Sequence, residues 1–276
     1  MVGVHFGSRG FGHKTASGFL ALAQGLSFGS KTRDGEMDSP PVLFEIDSEL
    51  GQSYVAAMEL AGEYAYAGRD VVVAKVLEIL GAETTHEVHN HHNFAWREEH
   101  FGRDYWVIRK GCTPARPGQE GFVGGSMGDE SVILGGVEGP NAAESLYSTV
   151  HGAGRVMSRS QAAGRMRRVK RWACGHRDCA YVGDGPGTCP IHGSKLRQAR
   201  VLEQVKPGLV DWPAVQERLR ERGIVLIGGG ADEAPEVYKR LPEVLEAHAG
   251  SIRVKHTLRP LGVAMAGRDV VDPYKD

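Results

Sequence analysis

The spacing of apolar positions divides the chain into helices and strands of ordinary length. Residues 42–46, Val-Leu-Phe-Glu-Ile, predict a short buried strand, and Asp47 or Ser48 stands where the N-cap of a helix starting near Glu49 belongs. Tyr54, Met58, Ala61 and Ala65 then recur at steps of four, three and four, the stripe of an amphipathic helix. The run from Val71 to Leu80 predicts a second helix after Gly68, although its β-branched start also suits a strand. Residues 104–110 alternate as a strand, and 121–136 read as a small-residue loop ahead of a short apolar strand. Further on, 212–222 predict a charged helix and 224–227 a buried strand. Asp232 is placed to cap a helix carrying Tyr238 and Lys239, and 252–257 alternate as a strand. The pattern predicts a mixed α and β fold: central sheets with helices outside and a site in a cleft made by glycine loops.

Composition narrows this picture. The 38 glycines cluster at Gly124–Gly125, Gly135–Gly136, Gly152/Gly154 and Gly228–Gly230, with apolar runs between, which argues for tight connections rather than disorder. Residues 31–41, with Pro40 and Pro41, read as a surface loop. A net charge of −1 gives no overall basic field, so any polyanion site must be local. No apolar run approaches a membrane span, and the start lacks a charged segment followed by an apolar one; a cytoplasmic location is the default expectation.

Three stretches carry candidate chemistry. In residues 148–159, His151 is followed by Gly152, Ala153 and Gly154, then Arg155 and Arg159 four apart. A helix starting near Gly154 would put both guanidinium groups on one face beside a backbone nest suited to phosphate. Residues 86–93 hold four histidines in eight positions, His86, His89, His91 and His92; on an extended strand His89 and His91 share one face and His86 and His92 the other. Cys174, Cys179, Cys189 and His192, with His176 as a substitute, have the spacing of a structural Cys3His zinc site, its turn supplied by Gly183, Gly185, Pro186 and Gly187. The basic run from Arg165 to Arg171 extends a track that suits a nucleic acid backbone. The best domain boundaries flank the cysteine segment: 1–172, an insertion at 173–195, and 196–276.

Six ordered motifs resemble the RtcB family of RNA ligases. They are His5-Phe-Gly-Ser-Arg-Gly-Phe-Gly-His13, His92-Asn93-Phe94-Ala95, Arg109-Lys110-Gly111-Cys112-Thr113, Gly125-Ser126-Met127-Gly128, His151 to Arg155 with Ser158 and Arg159, and Asp232-Glu233-Ala234-Pro235 with Tyr238 and Lys239. The resemblance implies an RtcB-like fold and a GTP- and manganese-dependent ligase. It would join an RNA 3′-phosphate or 2′,3′-cyclic phosphate to a 5′-hydroxyl, as in tRNA splicing or RNA repair. It implies that His151 is guanylylated and that His5 and His92 bind manganese. Guanylate-contacting positions match His92, Asn93, Gly124, Gly125, Ser126, Met127, Ser131, His151, Gly152, Ala153 and Gly154; RNA phosphates match Arg9, Lys110, Arg155 and Arg159. An activating partner protein is a further expectation, and no membrane is.

Three departures accompany the match. Family members carry a portion ahead of the His5 motif, so this chain reads as one that lacks it. That portion supplies a cysteine, an acid and another histidine to the metals. The family's guanine-reading Lys-Gly pair falls in the region of Val263–Gly267, where there is no lysine, with Lys275 as a possible replacement. The cysteine segment is an insertion. The alternatives are a related nucleotidyltransferase with another nucleotide, or a non-catalytic RNA-binding remnant.

Overall fold

The computed structural model describes residues 1–31, 42–176 and 178–266. The loop expected at 31–41, Gly267 and Lys275 fall wholly or almost wholly outside the described residues.

The chain starts as an extended segment and enters helix α1 (Gly10–Ala23), which packs on the long helix α2 (Glu49–Leu80). Aromatic edges join them: Phe19 lies 5.4 Å from Tyr54, and Phe11 5.5 Å from Tyr64. Ser48 caps α2 by accepting a hydrogen bond from the Gly51 N–H at 3.0 Å. Gly81, at φ 62°, ends it, with its N–H and that of Ala82 turned back to the carbonyls of Glu78 and Leu77. The helix runs unbroken through Gly68, where two helices were expected. A Cβ there would lie 3.4 Å from the Phe6 ring, so this glycine lies against the N-terminal segment and marks no break. Residues 42–46 are not a strand; Phe44 instead stacks on Tyr54 at 5.0 Å, just ahead of the α2 cap.

Strands β1 (Asn93–His100) and β2 (Arg103–Lys110) form an antiparallel hairpin whose two turn residues, Phe101 and Gly102, both have positive φ, as a type I′ turn requires. Strand β3 (Cys112–Pro114) follows, then β4 (Glu120–Val123) and β5 (Ser131–Gly136), and helix α3 (Pro140–Glu144) leads into β6 (Ser148–Val150). Strand β6 pairs antiparallel with β3, which sets residue 151 beside the β2–β3 corner. Helix α4 (Arg159–Ala163) precedes a ribbon of β7 (Arg165–Ala173), β8 (Val182–Gly183) and β9 (Arg197–Lys206), in the order β8-β7-β9.

Helix α5 (Trp212–Glu221), β10 (Val225–Ile227), helix α6 (Leu241–Ala247), β11 (Ile252–Leu258) and β12 (Gly262–Ala264) complete the chain. Strand β11 extends the β4–β5 pair into a sheet ordered β11-β5-β4, and β10 pairs parallel with β12. The strand expected at 224–227 forms but is largely exposed at Val225 and Ile227; among the described residues its strand partner is the short β12. The helix expected after Asp232 is two 3₁₀ turns, Ala231–Glu233 and Pro235–Val237, separated by Ala234 in extended backbone.

Two apolar clusters hold the site. Val123, Val132, Leu134, Ala153, Leu241 and Ile252 pack between the three-stranded sheet and α6. Met127, Ala162, Val215, Leu219, Ala234 and Val237 pack under α4 and α5. Ala153 and Met127, both expected at the nucleotide, are thus core residues at 7% and 4% exposure, leaving backbone as their means of touching a ligand.

Candidate active site

Strand β6 delivers His151 to the corner where β2 ends. The ring Nδ1 lies 2.7 Å from the Gly111 carbonyl oxygen. A carbonyl only accepts, so Nδ1 carries the proton, and in the neutral ring Nε2 holds the free lone pair. Gly111 has φ 71°, a left-handed conformation that disfavours any side chain. Its N–H reaches the His92 carbonyl at 2.8 Å and Asn93 Oδ1 at 3.1 Å. One glycine therefore binds His92, Asn93 and His151 through its two backbone groups. Sequence reading included Gly111 in a motif without giving it this role; a glycine ending a basic strand was the available signal.

Around this corner three imidazoles meet. The His92 and His151 rings stack at 4.2 Å and 22°. His5 Nε2 lies 2.9 Å from His92 Nε2, and the His5 ring centroid is 6.3 Å from that of His151. The histidine run is not a strand, and its members go to different places. His86 meets Glu120 at 2.6 Å. His89 and His91 both lie against Tyr66, with ring centroids at 4.1 Å. Burial, then the nearby charges of Arg69, His89 and His92, hold His91 down to a pKa of about 4, so it stays a neutral packing residue stacked on Phe94.

Two buried arginines brace this arrangement, a role that sequence reading gave to neither, although Arg109 stands in one of the quoted motifs. Arg69 on α2 donates to His89 Nε2 at 2.6 Å and to the Phe6 carbonyl at 3.0 Å, tying the segment that carries His5 to the one that carries His92. Arg109, 1% exposed, makes a two-pronged pair with Glu98 at 2.8 and 2.9 Å. It also donates to Ser148 Oγ at 2.9 Å and to the Leu146 carbonyl at 2.8 Å, clamping the β1–β2 hairpin to the start of β6. Burial pushes the Glu98 carboxyl up. Hydrogen bonds from Arg109 and His100, with the charges of Arg109 and Arg116, outweigh that and hold it below the usual carboxylate range.

A cleft of about 1170 Å³ opens over the imidazoles, lined by His5, Arg9, His92, Asn93, Lys110 and His151 among others. The N-terminal segment, α2 and residues 82–95 form its walls. The loop from Gly124 to Ser131 joins the residue after His151 through a parallel bridge between Gly124 and Gly152, and none of its residues lines the cleft. Within that loop Ser131 Oγ accepts from the Gly125 N–H at 3.0 Å, and Ser126 donates to Asp129. A Cβ at Gly125 would sit 2.2 Å from the Glu130 carbonyl oxygen, so the turn closes only with glycine.

The two arginines after His151 are not on one helix face. Helix α4 starts at Arg159 with a Ser158–Gln161 capping box, and Arg155 lies outside it, in an antiparallel bridge with Tyr238. Positive φ at Gly154 turns the chain before the helix begins. Both side chains still converge on one segment. Arg155 donates to Tyr238 Oη at 3.0 Å and to the Asp232 carbonyl at 2.7 Å; Arg159 pairs with Asp232 at 3.0 Å and also with Glu233. Any phosphate taken there must share these cations with two carboxylates.

The model of the tRNA-splicing ligase RtcB family matches residues 1–177. The chain belongs to the RtcB family. That match ends within the cysteine segment and includes every imidazole of the corner described above. The tRNA-splicing ligase RtcB of Pyrococcus furiosus is 31% identical over 301 residues, covering 96% of this chain and 26% of that protein. The tRNA-splicing ligase RtcB of Thermococcus kodakarensis is 30% identical over 300 residues, covering 96% of this chain and 52% of its own length. The RNA-splicing ligase RtcB of Escherichia coli K12 is 35% identical over 174 residues, covering 58% of this chain and 40% of its own. The chain thus spans between about a quarter and about half of the length of these relatives. Among the described residues no helix is long and apolar enough to cross a membrane.

Proposed function

We propose that this RtcB-family chain carries the nucleotidyl-accepting histidine of an RNA ligase that joins 3′-phosphate or 2′,3′-cyclic phosphate ends to 5′-hydroxyl ends. The observation that carries this reading is the hydrogen bond from His151 Nδ1 to the Gly111 carbonyl. It leaves the lone pair of the neutral ring on Nε2, which supports Nε2 as the nucleophile, and it would stabilise the positive ring that forms when Nε2 bonds to phosphorus. His151 Nε2 attacks the α-phosphorus of GTP, a P–N bond forms and pyrophosphate leaves. A 2′,3′-cyclic phosphate end is first opened by water to a 3′-phosphate; the guanylate then passes to the RNA 3′-phosphate, and the 5′-hydroxyl displaces GMP from it.

The donor set fits a divalent cation. Two imidazole nitrogens 2.9 Å apart are close to neighbouring corners of an octahedron, whose edge is about 3.0 Å for bonds of about 2.1 Å; a tetrahedral edge would be about 3.4 Å. His5 and His92 would hold manganese, which when bound neutralises charge on the triphosphate. The backbone of Gly124–Gly125 and Gly152–Gly154 lies against His151 and suits the guanylate phosphate. Arg9 and Lys110 at the cleft, with Arg155 and Arg159 beside it, would hold RNA phosphates.

Radiolabelled GTP with manganese tests the reading. A covalent guanylate adduct present in the native chain and absent in His151→Ala supports it. An adduct formed only from ATP favours a related nucleotidyltransferase, a reading prompted by the absence of lysine at Val263–Met265. RNA binding without any adduct favours a non-catalytic binding module.

A further inference from the structure

Far from the imidazole corner in the sequence, Cys174, Cys179, Cys189 and His192 bring one donor atom each to within 4.8 Å of one another. The thiols are free. Cys179 Sγ lies 3.7 Å from Cys189 Sγ, and His192 Nδ1 lies 3.9 Å from Cys174 Sγ and 3.8 Å from Cys189 Sγ. With zinc bonds of about 2.3 Å to sulfur and about 2.05 Å to nitrogen, a tetrahedron has edges of about 3.8 Å between sulfurs and about 3.6 Å between sulfur and nitrogen. Three of the six edges are therefore close to the right length in this fold.

The backbone is built for such a site. Cys189 is 1% exposed, and its N–H and carbonyl bind Ser194 and Gly193 in a tight turn, with Gly193 at φ 63°. Ser194 Oγ lies 3.3 Å from Cys174 Sγ, where its hydroxyl donates to a thiolate. The His176 ring stacks on His192 at 4.5 Å and stands outside the donor cluster. Among the described residues a second metal-capable group, Asp70, Glu87 and His89, is opposed by Arg69, whose guanidinium already binds His89.

We propose that Cys174, Cys179, Cys189 and His192 Nδ1 bind one structural zinc ion that staples the end of β7 to the turn preceding β9. The three thiols give up their protons as zinc binds, and four protein ligands leave no open position for chemistry. The full chain, loaded with zinc and dialysed, is expected to hold one zinc per chain by mass spectrometry. His5→Ala, His92→Ala and Cys112→Ser should keep that zinc, which separates this site from the manganese reading. Cobalt in its place should give the visible bands of a tetrahedral three-sulfur, one-nitrogen site. His192→Cys should keep one cobalt and change the spectrum to four sulfurs, while His176→Ala should change nothing. A native chain without zinc, zinc retained in Cys174→Ser, or an unchanged cobalt spectrum in His192→Cys would each overturn the proposal.

A separate observation concerns the ribbon that this cluster ends. Lys170 on β7 is directly opposite Arg200 on β9, and Arg165 is directly opposite Lys206. Like charges facing each other weaken a strand pair. Arg168 shares the Lys170 face, the described side chains of that face include no acid, and Arg168, Lys170 and Arg200 are all exposed; Arg165 and Lys206 lie past a register shift, on the Arg171 side by alternation. On the other face Arg171 pairs with Glu203 at 2.8 Å. We infer that the Lys170–Arg200 face binds the phosphate backbone of RNA, with Trp172 available for base stacking. This rests on the RNA reading above.

Arg200→Glu separates binding from folding, because the new carboxylate would face Lys170 and strengthen the ribbon. Its affinity for an RNA with a 5′-phosphate and 3′-hydroxyl, which cannot be ligated, is expected to fall. The slope of log affinity against log salt should shrink by about 1. If native and variant chains bind that RNA equally, the inference fails while a guanylate adduct would still stand. If the variant instead loses binding to anionic phospholipid vesicles and keeps RNA binding, the face is a membrane surface and the inference fails.

Discussion

Replacing Arg109 by alanine removes four hydrogen bonds at once: two to Glu98, one to Ser148 Oγ and one to the Leu146 carbonyl. It also leaves the Glu98 carboxylate, 9% exposed, without its main partner. Removing one member of a buried ion pair costs about 3–5 kcal/mol. Here His100 at 2.8 Å and Arg116 at 3.3 Å still face Glu98, which places the expected loss near the low end, about 3 kcal/mol. Urea unfolding of Arg109→Ala, Glu98→Ala and the double variant measures it. The double variant should be less destabilised than the sum of the singles by about 2 kcal/mol, because neither partner then remains buried alone. The same change frees the start of β6, so guanylylation of His151 should fall even at temperatures where the chain stays folded. Additive single effects, or a loss below about 1 kcal/mol, would refute the clamp.

Acid should weaken the same contact. Glu98 has a folded pKa below its ordinary value, so its contribution is fully present above about pH 4.5 and is lost as pH falls through the folded value; Glu98→Gln should flatten that part of the stability profile in urea unfolding between about pH 6 and about pH 3. Gly111→Ala, at φ 71°, should cost about 1–3 kcal/mol in unfolding assays and lower the adduct rate by more than that loss of folded chain explains. Arg69→Met, by releasing Phe6 and His89, should weaken manganese binding at least about tenfold by calorimetry while leaving circular dichroism unchanged.

What the sequence disclosed depended on whether a signal was local. Alternation along residues 104–110 is written into side-chain order, and β2 forms there. The glycines and histidine at 151–154 form a motif, and the structure joins them to the Gly124 loop through a backbone bridge. The cysteines and His192 carry their own spacing, and the fold gathers their donor atoms. Helix α1 was missed because Gly10–Ala23 is small and glycine-rich, and its partner surface, Tyr54 and Tyr64, lies some forty residues away. Arg109 looked like part of a basic strand end. Only the pairing of Phe94 with Arg109 and the return of β6 show that it points inward while Lys110 is exposed. Arg155 and Arg159 sit at helical spacing, yet Gly154 turns the backbone and the helix begins at Arg159.

The central claim is that Gly111 fixes His151 with Nε2 as the nucleophile. Mass spectrometry and phosphorus NMR of the chain after reaction with GTP and manganese test it most directly. The account predicts one guanylate per chain, on the peptide containing His151, as a phosphoramidate at Nε2. A guanylate on Nδ1, on His92 or on a lysine would contradict it.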